Sequence, residues 1–447
     1  MGLIENLSSD LEAGRTTSRD LVEGCLERIL DSTGEGAQTF VQVDPEAVRA
    51  QADAADKLRS VNAHSSPFAG IPISTKDLFD QRGQKTKAGS VVLNDVPAVK
   101  DDGVAIKRLK ACGFVLIGRT NMTEFAYSGL GLNPHYGTPL NPYDRSSARI
   151  PGGSSSGAAI SVTDNMAFAG LGSDTGGSCR IPAAFCGITG FKPTASRVPM
   201  TGTYPLSPSL DSIGSLASSV SCCAVIDAAI SGDCRMIGAP HAQLVGLRIA
   251  ALTNYVLEDM DSYVAEVYFK TLEKLNSAGA ILTNISLPEL DRLPEINSKG
   301  GFVAAEAYAE HRDLLASRSL EFDPRVSSRM MKGADQSAAD YLDLLASRRE
   351  IIASANIQTQ DFDVVAFPTV PIIAPKISEV AGEAEYGRLN LLALRNPTVA
   401  NFLDRCAISI PVNAPGEAPV GLNLMGETNA DRHLISVSKS VEAKVHS

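Results

Sequence analysis

The stretch "GSDTGGSCR" (172–180) sets two glycines directly before a serine and an arginine two residues after it. One reading is a tight turn. Another is a serine nucleophile in a loop whose successive backbone N–H groups, on Thr175, Gly176, Gly177 and Ser178, converge on one developing negative charge. Such donors supply about 3–4 kcal/mol each in acyl transfer. The overlapping "GLGSDTGGS" approaches the dinucleotide fingerprint G-x-G-x-x-G, but its third glycine falls one residue late, at Gly176. That fingerprint also requires a helix at once and an acid about 20 residues on, so the match is poor.

Two further landmarks carry polar groups. Lys76 and Asp77 close the apolar run "GIPIS" (70–74). An ammonium there is partly desolvated, which lowers its pKa and leaves a fraction neutral and able to act as a base. The same lysine could instead snorkel to water or pair with Asp77. In "PGGSSSGAA" (151–159) the glycines permit close approach to a ligand, and a phosphate cradle is one option. The lysine of G-x-x-x-x-G-K-[ST] is missing, however. Gly153 to Gly157 also fits the nucleophile elbow G-x-S-x-G with Ser155 at its centre. An elbow needs an acid and then a histidine downstream. His241, His311 and His433 are available, none in a recognisable context. A plain flexible turn is the third reading.

The elements that must hold these groups alternate. Residues 17–30 open with a Thr17–Asp20 capping pattern and continue with apolar residues at helical spacing. A second helix starts at Asp44-Pro45. Residues 103–111 and 214–230 read as helices and "FVLIG" (114–118) as a buried strand. Residues 120–215 are rich in Gly, Ser and Pro and read as loops packed around a site. The more polar region 240–360 carries helical patterns at 262–279 and 337–355, while 363–375 and 419–426 read as strands rejoining the sheet. Alternation of this kind predicts an α/β layered fold.

Composition sets the outer limits. The 447 residues, 44% hydrophobic and 20% charged, suit one large α/β domain with insertions or two to three average ones. A formal net charge of −11 with no Lys/Arg-rich run argues against a nucleic-acid partner. The start "MGLIENLSSDLEAGRTTS" has no apolar signal-peptide region, and no stretch of about 20 apolar residues exists. A cytoplasmic protein away from membranes is expected. Eight scattered cysteines without a C-x-x-C pair read as buried thiols, and six histidines without H-x-x-x-H give no zinc site.

In this order, "STKD", "PGGSSSGAA" and "GSDTGGSCR" resemble the amidase signature family, whose hallmark is a Ser–cis-Ser–Lys triad. "GRTNMTEFAYSG", "NPHYGTPLNPYD", "TYPLSPSLDSIG", "FPTVPIIAP" and "PVGLNLMGETNADRHL" extend the likeness over nearly the whole chain. The resemblance implies a single α/β domain over 1–447, a mixed central sheet covered by helices on both faces. Its signature core is about 70–215 and its more helical, substrate-side region about 240–360. It implies Ser178 as nucleophile, Ser154 as the bridging serine in a cis peptide and Lys76 as base. Thr175, Gly176, Gly177 and Ser178 become the oxyanion hole. Ser155 becomes a support hydrogen-bonded near Lys76, beside Asp174 and Arg180, the last a loop holder or a substrate-carboxylate clamp. Ala126, Tyr127 and Ser128, with the polar helical region around 300–350, read as the specificity pocket, in which Tyr127 and Tyr308 are either wall residues or ordinary packing. Cys179 departs from the family, which has Ile or Val there, and reads as a packing position.

The implied activity is hydrolysis of a small-molecule amide, without metal or organic cofactor, in a homodimer. Two rivals stand beside it: a glutamine-hydrolysing component of a tRNA-dependent amidotransferase, and an α/β-hydrolase-type esterase using Ser155.

Overall fold

Short apolar runs between amphipathic segments become the strands of one sheet. The computed structural model describes residues 2–447. The strands are β1 (Phe40–Gln42), β2 (Pro72–Lys76), β3 (Val115–Thr120), β4 (Ala169–Ser173), β5 (Thr189–Lys192), β6 (Ile213–Ala217), β7 (Arg248–Leu252), β8 (Ile281–Ile285), β9 (Val364–Pro368), β10 (Ala407–Pro411) and β11 (Gly421–Met425). Their order across the sheet is β1-β3-β2-β4-β6-β5-β10-β11-β9-β7-β8. β2 runs parallel to both β3 and β4, β7 parallel to β8 and β9, and the remaining pairs are antiparallel.

Helices cover both faces, as the alternation of side chains along a strand requires. Ala169, Leu171, Ile213 and Ala217 join the helix Val220–Ser231 in one core. Leu216, pointing the other way from β6, packs with Ala158, Ala159 and Ile160 of the helix Ser156–Thr163 and with Ala183 of the helix Arg180–Cys186.

The early helices form as their caps dictate. Thr17 accepts from Asp20 N–H while Asp20 accepts from Thr17 N–H, opening the helix Ser18–Leu30. Asp44 caps the helix Pro45–Ser60 through Ala47 N–H. Four expectations need correction. Residues 120–215 hold three strands and two helices besides their loops. The segment 214–230 begins as β6, and its helix starts only after Ser219, whose side chain accepts from Cys222 N–H. The region 240–360 also contributes β7 and β8. In 363–375 the strand ends at Pro368, and Pro371 and Pro375 cannot donate to a ladder. No helix among the described residues is long and apolar enough to cross a membrane.

Candidate active site

The parallel trio β3-β2-β4 puts the carboxyl ends of three strands side by side. Lys76 is the last residue of β2 and Ser173 the last of β4. Lys76 is fully buried, and its Nζ donates to Ser154 Oγ (2.8 Å) and Ser173 Oγ (2.9 Å). Burial lowers its pKa to about 8, against the opposing pull of the Asp174 and Asp211 carboxylates. Lys76 neither snorkels nor pairs with Asp77. That carboxylate instead accepts from Arg119 Nε (2.6 Å) and Gly89 N–H (3.1 Å).

Ser154 follows a cis peptide bond from Gly153. The segment is tied down by Gly153 N–H donating to Gly129 C=O (2.8 Å) and Thr123 N–H donating to Ser154 C=O (3.1 Å). Ser155 is also fully buried, but it does not reach Lys76. Its Oγ donates to Ser173 C=O (3.3 Å), on the residue whose hydroxyl Lys76 holds. The elbow reading fails on the same geometry. His311 donates Nδ1 to Ala307 C=O, His433 lies by Asp363, and no histidine among the described residues bonds to Ser155.

Ser178 sits just before the helix Arg180–Cys186 and is 3% exposed. Its C=O accepts from Ser155 N–H (3.3 Å), which links the two serine loops. Its Oγ makes no hydrogen bond among the described residues, Ser154 Oγ included.

The loop 174–179 is shaped by one carboxylate. Asp174 accepts from Gly177 N–H (2.8 Å), Cys179 N–H (3.1 Å), Arg180 Nε (3.1 Å), Arg180 Nη2 (3.0 Å) and Asn401 Nδ2 (3.0 Å). Burial alone would raise this carboxyl, but the Arg180 guanidinium more than offsets it and holds it at about 2. The Gly177 N–H is therefore spent inside the loop. The expected oxyanion donors reduce to Thr175, Gly176 and Ser178, whose N–H groups make no hydrogen bond among the described residues. Gly177 has φ +119°, and a Cβ there would lie 2.6 Å from Pro397, so conformation and space both require glycine.

Arg180 is fully buried and also donates to Asn401 Oδ1 (2.7 Å) and Asn423 Oδ1 (3.3 Å). It holds the loop and is not presented to a ligand. Cys179 packs behind Ser178, where a Cβ on Gly172 would meet its Sγ at 2.9 Å, and burial pushes its thiol far up. The position is one of packing.

The expected wall is only partly available. Ala126 is buried in a left-handed turn (φ +60°), and the half-buried Tyr127 lies under the Arg329 guanidinium, 4.8 Å from its ring centroid. Ser128 Oγ is already committed, donating to Asn390 Oδ1 (2.8 Å) and accepting from Tyr386 OH (2.8 Å). Tyr308 is half-buried on the helix Gly301–Arg318. Three residues lie outside the sequence reading: Ser173, the second partner of Lys76; Asn401, from a helix more than 200 residues away; and Asp211, which accepts from Thr175 Oγ1 (2.5 Å). Of these, Asp211 has a sequence signal, since it stands in the phrase "TYPLSPSLDSIG".

Comparison with known proteins agrees over the full length. The Amidase family model matches residues 20–435. The chain is 34% identical over 405 residues to the 2-amino-5-chloromuconic acid deaminase of Comamonas testosteroni, covering 90% of this chain and 87% of that protein. It is 31% identical over 487 residues to a glutamyl-tRNA(Gln) amidotransferase component from Cupriavidus metallidurans, covering 98% and 96%. A crystal structure of an amidase superposes with a TM-score of 0.89 at 29% identity, covering 99% of both chains.

Proposed function

Because the chain belongs to the amidase family, we propose that it hydrolyses the carbon–nitrogen bond of a small-molecule amide through an acyl-enzyme on Ser178. Neutral Lys76 takes the proton of Ser154 Oγ as Ser154 takes that of Ser178, and Ser178 Oγ attacks the amide carbonyl carbon. The N–H groups of Thr175, Gly176 and Ser178 receive the oxyanion. As the C–N bond breaks, the proton held on Lys76 returns through Ser154 to the leaving nitrogen, which departs as ammonia or an amine. Water, deprotonated by the same relay, attacks the ester and releases a carboxylic acid and free Ser178. Every proton in the cycle is carried by the chain's own groups.

The observation that carries this reading is the fully buried Lys76 ammonium, 2.8 Å from Ser154 Oγ, with its pKa lowered to about 8. A lysine left exposed would be protonated at neutral pH and useless as a base. Residues about 70–215 supply the chemistry, and Ala126 and Tyr127, facing the helices of 300–350, supply the substrate wall. A relative named for deaminating 2-amino-5-chloromuconic acid supports a small substrate. Our reading has the enzyme at work in the cytoplasm, where its eight free thiols stay reduced, and as a homodimer, as the family resemblance implies.

A second reading, a glutamine-hydrolysing component of an amidotransferase, is favoured by the relative that carries that name. The test is ammonia release by the purified chain alone from a panel of small amides that includes glutamine. Turnover of a small amide without any partner supports the proposal. Turnover of glutamine alone, and only when a second chain is added, overturns it in favour of the amidotransferase.

A further inference from the structure

We propose that Asp211 is a positioning residue for the oxyanion loop and acts through the side chain of Thr175. This rests on the reading of Ser178 as nucleophile and of the Thr175 N–H as one of its oxyanion donors.

Asp211 is buried, and all of its carboxylate contacts are hydrogen-bond donors. Oδ1 accepts from Thr175 Oγ1 (2.5 Å), while Oδ2 accepts from Leu206 N–H (3.0 Å) and Ser207 N–H (3.1 Å). The next residue grips the other side of Thr175. Ser212 N–H and Oγ both donate to Asp174 C=O, and Asp174 N–H donates back to Ser212 C=O. The peptide before Thr175 and the side chain of Thr175 are thus held by two consecutive residues of one loop.

That loop is itself fixed from outside. Glu306 accepts from Ser207 Oγ (2.6 Å), Ser209 N–H (3.0 Å) and Tyr341 OH (2.7 Å), and Arg348 donates to Ser209 C=O (3.0 Å). Asp211 is therefore a post anchored to the outer helical layer, against which Thr175 is oriented. Without its acceptor the Thr175 hydroxyl is a buried, unsatisfied donor, and the loop loses the tie that fixes the Thr175 side chain. On the proposed reading, the Thr175 N–H is then no longer held in line with the oxyanion. A donor misplaced at the transition state lowers kcat and leaves ground-state binding alone.

The test is a set of four variants, with kcat expressed per Ser178 labelled by a fluorophosphonate, so that misfolded protein drops out. Asp211→Ala, which removes the acceptor of the Thr175 hydroxyl, is expected to lower kcat roughly 10- to 100-fold, with KM within about twofold. Thr175→Val should match it, and the double variant should be no worse than the larger single effect, because both remove one interaction. Thr175→Ser keeps the hydroxyl and should keep most of the activity, a rescue that carries the test even if Asp211→Ala fails to fold. Multiplying effects in the double variant, or Thr175→Val with the wild-type kcat, would overturn the proposal. Undiminished activity in Ser178→Ala would instead remove the reading on which it rests.

Discussion

Lys76 Nζ donates to Ser154 Oγ at 2.8 Å from a position with no solvent exposure, and the only other partner of its ammonium among the described residues is Ser173 Oγ at 2.9 Å. No carboxylate touches it directly. Desolvation therefore governs its charge, and on the proposed reading this is what lets a normally cationic residue serve as a base.

The first prediction concerns pH. Burial lowers Lys76 to about 8, and in the proposed mechanism the neutral form is the active one. Activity should rise with pH and level off above about 8, the kcat/KM profile having an acid limb with its midpoint there. Lys76→Ala should lose about 10²- to 10⁴-fold in kcat and lose that limb. A profile flat from pH 6 to 9 in the wild type would contradict the assignment.

The first two of the three consecutive serines, Ser154 and Ser155, should separate cleanly. Ser154→Ala breaks the relay and should cost about 10²- to 10⁴-fold in kcat. Ser155→Ala removes a long 3.3 Å hydrogen bond to Ser173 C=O and should cost about 1 kcal/mol of stability, with activity within about tenfold. Steady-state kinetics and urea denaturation of the two variants check both halves.

Arg180 should behave as part of the loop. Its pair with Asp174 is fully buried on both sides, so Arg180→Met removes the two-pronged contact and the only cation bonded to that carboxylate among the described residues, leaving it neutral donors alone. The expected cost is about 3–5 kcal/mol in unfolding free energy. Asp174 has its folded pKa depressed to about 2 from 3.8. Its contribution is thus complete above the unfolded value and fades as pH falls through about 2. Because Arg180 meets no ligand, KM ratios between carboxylated and uncarboxylated amides should not change in this variant.

At the wall, Ser128 and Tyr127 should diverge. Ser128→Ala leaves Asn390 and Tyr386 without their shared partner and should lower thermal stability without altering KM. Tyr127→Ala removes the ring beneath Arg329 and should alter KM several-fold, in a direction that depends on the amide. Melting curves and KM values across the amide panel measure both.

What is legible in the sequence is local. Capping pairs such as Thr17 with Asp20, and the apolar run that ends in Lys76, announce their structure within a few residues. The start of β6 escapes because Gly214 and Ser215 carry no period of either kind, leaving the adjacent helix pattern to dominate. At the site, the Gly177 N–H reads as a free donor because nothing in "DTGG" tells that Asp174 folds back on it. Asn401 and Ser173 are invisible for a different reason. Their roles arise where strands and helices distant in sequence meet, and no short-range pattern records that meeting.

The central claim is that Ser178 is the nucleophile and that Lys76, through Ser154, activates it. Fluorophosphonate labelling of the wild type and of Lys76→Ala, followed by peptide mapping, tests it in one experiment. The account predicts label on Ser178 that is lost in Lys76→Ala. Label on Ser155, or label on Ser178 that persists undiminished without Lys76, would contradict it.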